Sequence, residues 1–316
     1  MVFHKGLDAY GKPPEDIRNM YKKYQRMKPS DLYTDKTVVD FEPFGNARYD
    51  VGLTRAITYS NSYHLTIPGL FIYPSLLPSE VQLSLLSLLL HRDLSNPAHK
   101  TNVHMHYSVP YPSNNASFFS YQPRASPAFQ PLDPAIRKPL SIAQVLARKL
   151  RWMTLGGQYD WTNKVYPAET PPPFPPDIAE LLSGLFPMMR PQAAICNFYS
   201  PGDTLSMHRD VSEECDRPLV SVSIGCDAVF VAGLSSESPG EPSKTLSLRL
   251  RSGDAVVMSG PSRFAWHGVP QIVGGTCPEW LRDWPAEGGS ESIQYEQWRG
   301  WMTSKRINLN VRQMWD

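Results

Sequence analysis

His208-Arg209-Asp210 is the tripeptide of this chain with the clearest chemical potential. On a strand, or at its exit, residues i and i+2 point to the same side, so an imidazole and a carboxylate stand together. Such a pair can hold a divalent metal. A third ligand must come from elsewhere, and His267 is the best candidate. It follows an apolar strand and the turn Met258-Ser259-Gly260-Pro261-Ser262-Arg263. Two histidines and one carboxylate on one face leave three coordination positions open, which is the ligand set of non-haem Fe(II) oxygenases. Two of those positions suit a bidentate 2-oxo acid, and the third suits dioxygen. H-x-D alone is a weak signal, whose ordinary alternative is a polar surface pair.

The C-terminus adds to it. Residues 306–312, Arg-Ile-Asn-Leu-Asn-Val-Arg, read as a strand with Arg306, Asn308, Asn310 and Arg312 on one face and Ile307, Leu309 and Val311 on the other. A polar face with two arginines inside a β-rich domain calls for an anion. A dicarboxylate such as 2-oxoglutarate suits it, because a guanidinium grips carboxylate through two parallel hydrogen bonds. A solvent-facing edge strand is the alternative.

The elements that must position these residues are mostly strands. Ala193–Tyr199, Leu219–Gly225, Ala228–Ala232, Thr245–Leu250, Ala255–Met258 and Ile307–Val311 are short, closely spaced, and joined by Gly, Pro and Asp turns. That pattern predicts a sandwich or barrel. Before it come a short strand at Gly69–Tyr73, a helix over Glu80–Arg92 with Leu83, Leu86, Leu90 and Leu94 on one face, loops over 95–133, and a helix over Ile142–Trp152 with capping-box spacing at Ser141 and Gln144. A proline-rich loop (Pro167–Pro176) leads to a further short helix over Asp177–Phe186. Residues 1–60 read as a partly irregular extension, with the packed domain spanning 61–316. The overall class is α+β with a mainly β core.

The 316 residues suffice for one large domain with a core, and 41% hydrophobic residues argue for a folded chain. No apolar run reaches the roughly 18 residues of a membrane span, so no membrane partner is expected. The net charge of +1 makes the whole chain no electrostatic magnet for nucleic acid, so such binding requires a local patch. Lys22, Lys23, Arg26 and Lys28 read as a solvated helix, with a phosphate-touching arm as the alternative. No secretory leader is evident, and Cys196, Cys215, Cys226 and Cys277 form no C-x-x-C pair, so they are expected as reduced thiols. Nuclear or cytoplasmic residence is expected, a mitochondrial address stays open, and a monomer is favoured. His104-x-His106 imitates a second metal pair but has no Cys, Asp or Glu nearby, so loop surface is its reading. No G-x-S-x-G, P-loop or dinucleotide fingerprint is present, which lowers hydrolase, kinase and dehydrogenase readings.

Taken together, Asn197-Phe198-Tyr199-Ser200-Pro201-Gly202, Leu205, His208-x-Asp210, residues 220–225, Leu250-Arg251-Ser252-Gly253-Asp254, the run from Met258 to Pro270, and Arg306-Ile307-Asn308-Leu309-x-Val311-Arg312-Gln313 resemble the AlkB family of nucleic-acid dioxygenases. The match covers about residues 150–314. The stretch 150–156, the proline-rich loop and the long insert between His267 and Arg306 resemble the eukaryotic AlkB homolog 1 branch.

The resemblance implies a double-stranded β-helix, or jelly roll, with helices packed outside. It implies that His208, Asp210 and His267 bind Fe(II), and that Arg306 pairs with the distal carboxylate of 2-oxoglutarate while Arg312 sits near its other end. Asn197, Tyr199 and Asn308 are implied to hydrogen-bond that cosubstrate. The implied activity is oxidative demethylation of N-methylated bases in DNA or tRNA with O2, releasing succinate, CO2 and formaldehyde. The family's substrate lid, here about 154–176, usually carries a Gly-Tyr-x-Tyr-like pattern. Here it reads Gly156-Gly157-Gln158-Tyr159-Asp160-Trp161, with one aromatic absent. Tyr159 and Trp161 are candidates to stack on a base; packing the lid is their alternative role. Arg209, Arg249, Arg251 and Arg263 are candidates to border a phosphate path, against scattered surface arginine. Two other functions stay open: a 2-oxoglutarate-dependent hydroxylase or demethylase of a protein or small molecule, and a non-catalytic nucleic-acid-binding module.

Overall fold

A computed structural model describes residues 7–41, 67–124, 128–236, 238, 240–286 and 294–316. Helix α1 (Glu15–Arg26) is amphipathic and buries Ile17, Tyr21 and Tyr24, with acids in its first turn and bases in its last, as the helix dipole favours. A single turn, α2 (Pro29–Leu32), leads to strand β1 (Val38–Asp40). Ile17 packs against Gly233, where a Cβ would stand 2.7 Å from it. Within the expected extension, residues 7–41 therefore supply a helix and a strand packed on the sheet; residues 42–60 lie outside the described residues.

The chain continues through β2 (Leu70–Tyr73), α3 (Ser79–Ser87), β3 (Tyr107–Ser108), β4 (Gln130–Pro131), α4 (Ile142–Gln144), β5 (Trp152–Gly156) and α5 (Pro176–Leu185). Then come β6 (Ala193–Tyr199), β7 (Leu205–His208), β8 (Leu219–Gly225), β9 (Ala228–Leu234), β10 (Lys244–Leu250), β11 (Ala255–Met258), β12 (Trp266–Ile272) and β13 (Arg306–Arg312). One sheet runs β1-β10-β9-β12-β7 and the other β2-β11-β8-β13-β6-β5. Two sheets face each other as in a jelly roll, and neither closes into a barrel. β1 joins parallel to β10, with Val39 opposite Leu248.

β13 lies between β8 and β6, not at an edge. Ile307, Leu309 and Val311 join the apolar core that holds Leu85 and Leu86 of α3 and Leu182 of α5. The opposite face is polar and buried all the same: Arg306 is 1% and Arg312 3% exposed, which rules out the solvent-facing alternative.

Two sequence expectations need correction, and one strand goes unseen in the sequence. The helix expected over Ile142–Trp152 ends by Lys149, after a wider helical turn over Val145–Lys149. Trp152 instead starts β5, because its backbone pairs with Asn197 of β6. The helix expected over 80–92 is present, but its last turns, Leu88–Asp93, widen in the same way. β12 carries Gly268 and Pro270, residues that disguise a strand; its pairing shifts register around them, where a missing N–H is tolerated. Among the described residues no helix is long and apolar enough to cross a membrane.

Candidate metal and cosubstrate site

The antiparallel pairing of β7 with β12 places His208 directly opposite His267. Their rings lie 4.3 Å apart, centre to centre. Asp210 follows β7 by two residues and turns back toward both imidazoles. Its Oδ1 is 3.7 Å from His208 Nε2 and its Oδ2 3.9 Å from His267 Nε2. One ligand atom from each residue lies within 4.8 Å of the others, and among the described residues this is the one such cluster of three.

The protonation states suit a metal. His208 Nδ1 donates to the Ser206 carbonyl at 2.9 Å, and His267 Nδ1 to the Ala265 carbonyl at 3.1 Å. Each bond fixes the tautomer that leaves the Nε2 lone pair free. Burial, with His208 adding, pushes the His267 pKa down to about 4, so this imidazole is neutral near pH 7. Burial works against charge on Asp210, but Arg312, His208, His267 and Arg263 outweigh it and hold its pKa well below the usual carboxylate range. The His208 side chain is 34% exposed and that of His267 9%, so the cluster opens on the His208 side.

Arg312 ties the two sheets together here. Its Nη2 lies 3.3 Å from Asp210 Oδ2, and its Nη1 3.1 Å from Glu213 Oε1. Burial opposes its charge, but Asp210, Tyr166 and Glu213 raise its pKa. Arg263 meets Glu213 Oε2 at 2.9 Å and donates to the Asp210 carbonyl at 2.9 Å. Sequence reasoning misses Glu213. Its one signal is its place three residues after Asp210, and it reads there as surface charge. Both side chains of the Arg263–Glu213 pair are 1% exposed. Glu213→Ala is expected to cost about 3–5 kcal/mol of stability, because two buried guanidiniums lose their carboxylate. A urea melt checks this, and an unchanged midpoint would show that the pair carries no stability.

The remaining cosubstrate candidates share the inner face of the six-stranded sheet. Asn308 stands opposite Asn197 and Ser223, and Arg306 opposite Tyr199. Asn308 Nδ2 donates to Ser221 Oγ and to the Val222 carbonyl. Arg306 donates to Ser223 Oγ at 2.6 Å and to the Cys226 carbonyl at 3.1 Å. Burial lowers its pKa, and no carboxylate stands within ion-pair distance of it among the described residues. Arg306 Nε, Arg312 Nε and the Tyr199 hydroxyl are buried without a partner. Orphaned donors cost free energy unless something accepts from them. A dicarboxylate between Arg306 and the metal cluster fits this donor set.

These observations meet in one assignment. The sequence profile of the 2OG-Fe(II) oxygenase superfamily matches residues 70–312. This chain belongs to that superfamily. The oxygenase is also 49% identical, over 98% of both chains, to the N6-methyladenosine RNA demethylase ALKB1 of Pyricularia oryzae. It is 57% identical to the N6-methyladenosine RNA demethylase ALKBH of Cryphonectria parasitica, over 68% of this chain and 100% of that one. It is 38% identical to the tRNA demethylase abh1 of Schizosaccharomyces pombe, over 78% and 79% of the two chains. Within the superfamily the oxygenase is thus an AlkB-family member of the homolog 1 type, and its family cofactors are Fe(II), 2-oxoglutarate and O2.

Of the residues expected in a substrate lid, 154–156 lie in β5 and Pro176 opens α5, with the loop 157–175 between them. Trp161 packs 5.2 Å from Trp152 and 5.0 Å from Tyr159. Tyr159 stands in the electrostatic reach of Asp210, Arg312 and Glu213. The N-terminal segment meets the same loop: Lys164 Nζ donates to the Ala9 carbonyl at 2.9 Å and lies over the Tyr10 ring. Of the four arginines named for a phosphate path, three are otherwise engaged. Arg249 pairs with Asp227 and Asp40, Arg251 with Asp40, and Arg263 with Glu213. Arg209 stacks over Trp266 at 4.4 Å. His104 closes a short helical turn and reaches the Tyr111 hydroxyl at 2.7 Å, so it is a structural residue rather than half of a metal pair. All four cysteines are buried thiols, and burial raises the Cys196 thiol pKa.

Proposed function

We propose that this oxygenase removes methyl groups from N-methylated bases of nucleic acid, RNA or DNA, by oxidation. The observation that carries the oxidative part is the pairing of the His208–Asp210–His267 cluster with a buried Arg306 that has no carboxylate partner among the described residues. The nucleic-acid part is supported by the methyladenosine RNA and tRNA demethylases to which the chain is similar along most of its length.

In this reading His208 and His267 would offer their Nε2 atoms and Asp210 a carboxylate to Fe(II). Arg306 grips the distal carboxylate of 2-oxoglutarate, with its fork held in place by Ser223 and the Cys226 carbonyl. The partnerless Tyr199 hydroxyl would be available to donate to the same group, and Asn197 and Asn308, which share a face, would line the cosubstrate. Arg312 neutralises Asp210 and would sit near the other end of the cosubstrate. Bound iron and 2-oxoglutarate supply the oxidant, with succinate and CO2 as co-products; hydroxylation of an N-methyl group gives a product that releases formaldehyde. A base inside a duplex must leave the stack to reach the opening beside His208, so single-stranded or looped substrates are favoured. Tyr159 and Trp161 present the aromatic wall against which such a base can stack.

The test is a panel of RNA and DNA strands carrying N-methylated adenine or cytosine, digested to nucleosides and weighed by mass spectrometry. Methyl loss that requires 2-oxoglutarate is expected on at least one N-methylated strand. Loss from none, with succinate formed from a protein substrate, would replace this reading with a protein hydroxylase. Strand binding with no succinate from any substrate would leave a binding module.

A further inference from the structure

The bulk charge of this chain is close to neutral, so any polyanion must be met by a local excess of cations. One such excess stands at the β5 edge of the six-stranded sheet, outside the metal cluster. Lys100, Arg148, Lys149 and Arg151 are all exposed there. They are not a loose scatter. The Asn102 amide donates to the Lys149 carbonyl at 2.7 Å, and its oxygen accepts from Arg151 N at 2.7 Å. Thr154 N of β5 donates to the Lys100 carbonyl at 2.8 Å. One side chain and one strand thus fix the backbone beneath Lys100, Lys149 and Arg151.

Among the described residues only Arg151 in this group has an acidic partner, Asp203. Lys100, Arg148 and Lys149 form no ion pair with any described residue, so the ridge carries an uncompensated positive charge. The field is felt inside the fold. Burial lowers the pKa of Lys305 to about 8; Asp203 opposes the shift, and Arg151 and Arg148 add to it. Like charges held together repel, and nothing in the packing requires them. Arg151 immediately precedes Trp152 in the chain, and the Trp152 ring meets Trp161 of the 157–175 loop at 5.2 Å. A row of unpaired cations suits a strand with a phosphate at every residue, which is the polyanion a nucleic-acid demethylase meets.

We infer that Lys100, Arg148 and Lys149, with Arg151 beside them, form a phosphate-binding ridge along which a nucleic-acid strand runs toward the lid. The inference rests on the demethylase reading for its direction, not for its existence. It is tested by fluorescence anisotropy with a labelled, unmethylated oligouridylate, without 2-oxoglutarate, across a salt series. The triple variant Lys100→Ala, Arg148→Ala, Lys149→Ala is expected to flatten the slope of log affinity against log salt by about 2, since each phosphate of a single strand that is no longer neutralised removes about 0.7. Arg148→Glu alone is expected to weaken binding further than Arg148→Ala. Succinate formed in the absence of nucleic acid is expected to stay at the wild-type level in every variant. An unchanged slope, absence of wild-type binding, or equal displacement of the RNA by polyglutamate would overturn the ridge. Methyl removal with an unchanged slope would sink the ridge and keep the demethylase. A flattened slope with no methyl removed from any substrate would do the reverse.

Discussion

Asp210→Ala is expected to abolish succinate formation and iron retention together. Asp210 is the one anion of the cluster, standing 3.7 and 3.9 Å from the two imidazole nitrogens. Without it, two imidazoles face Arg312, whose charge repels a cation. Groups that merely orient metal ligands are worth about 10–100-fold in affinity or activity, so loss of a ligand itself should exceed about 100-fold. His267→Ala is expected to do the same, since His267 is held opposite His208 by strand pairing and nothing else nearby can replace it. The measurement is bound iron after dialysis, alongside succinate formed per minute. Asp210→Ala protein that keeps its iron and turns over would remove these residues from the metal site.

Arg306→Ala is expected to act on 2-oxoglutarate rather than on iron. The guanidinium is buried, its Nε has no partner, and its other nitrogens are fixed by Ser223 Oγ and the Cys226 carbonyl. A desolvated guanidinium–carboxylate pair loses several kcal/mol when one partner is removed. The KM for 2-oxoglutarate should therefore rise by about 100-fold or more, with iron retention unchanged. Arg306→Lys is expected to recover only part of this, because an ammonium keeps the charge and loses the two-pronged geometry. Steady-state kinetics in 2-oxoglutarate check both variants. A wild-type KM in Arg306→Ala would mean that the cosubstrate is held elsewhere.

The parts of this site that are local in sequence are legible there. His208 and Asp210 share a side because they are two residues apart, and the alternation along β13 reveals a face with Arg306 and Arg312. What is not legible is what strand pairing creates. His267 can be suggested but not placed, since its position opposite His208 depends on the register of β7 with β12 across almost sixty residues of chain. β12 itself is hidden by Gly268 and Pro270. Glu213 and Arg263 look like surface charges because a buried ion pair has no local pattern; only the fold shows that each completes the other. Arg249 and Arg251 read as candidate phosphate contacts for the same reason. Their partner Asp40 comes from β1, more than two hundred residues away, in a segment whose sequence looks mostly irregular. The helix expected at 142 runs too long because residues 145–152 suit a helix locally, and the pairing of Trp152 with Asn197 overrides that preference.

The most direct measurement is the ratio of formaldehyde to succinate, in one reaction, on the strand of the methylated panel that is turned over fastest. Equal amounts of both, each lost in Asp210→Ala, are the expected result. Succinate without formaldehyde, while the methylated base remains intact, would contradict oxidative demethylation as the work of this site.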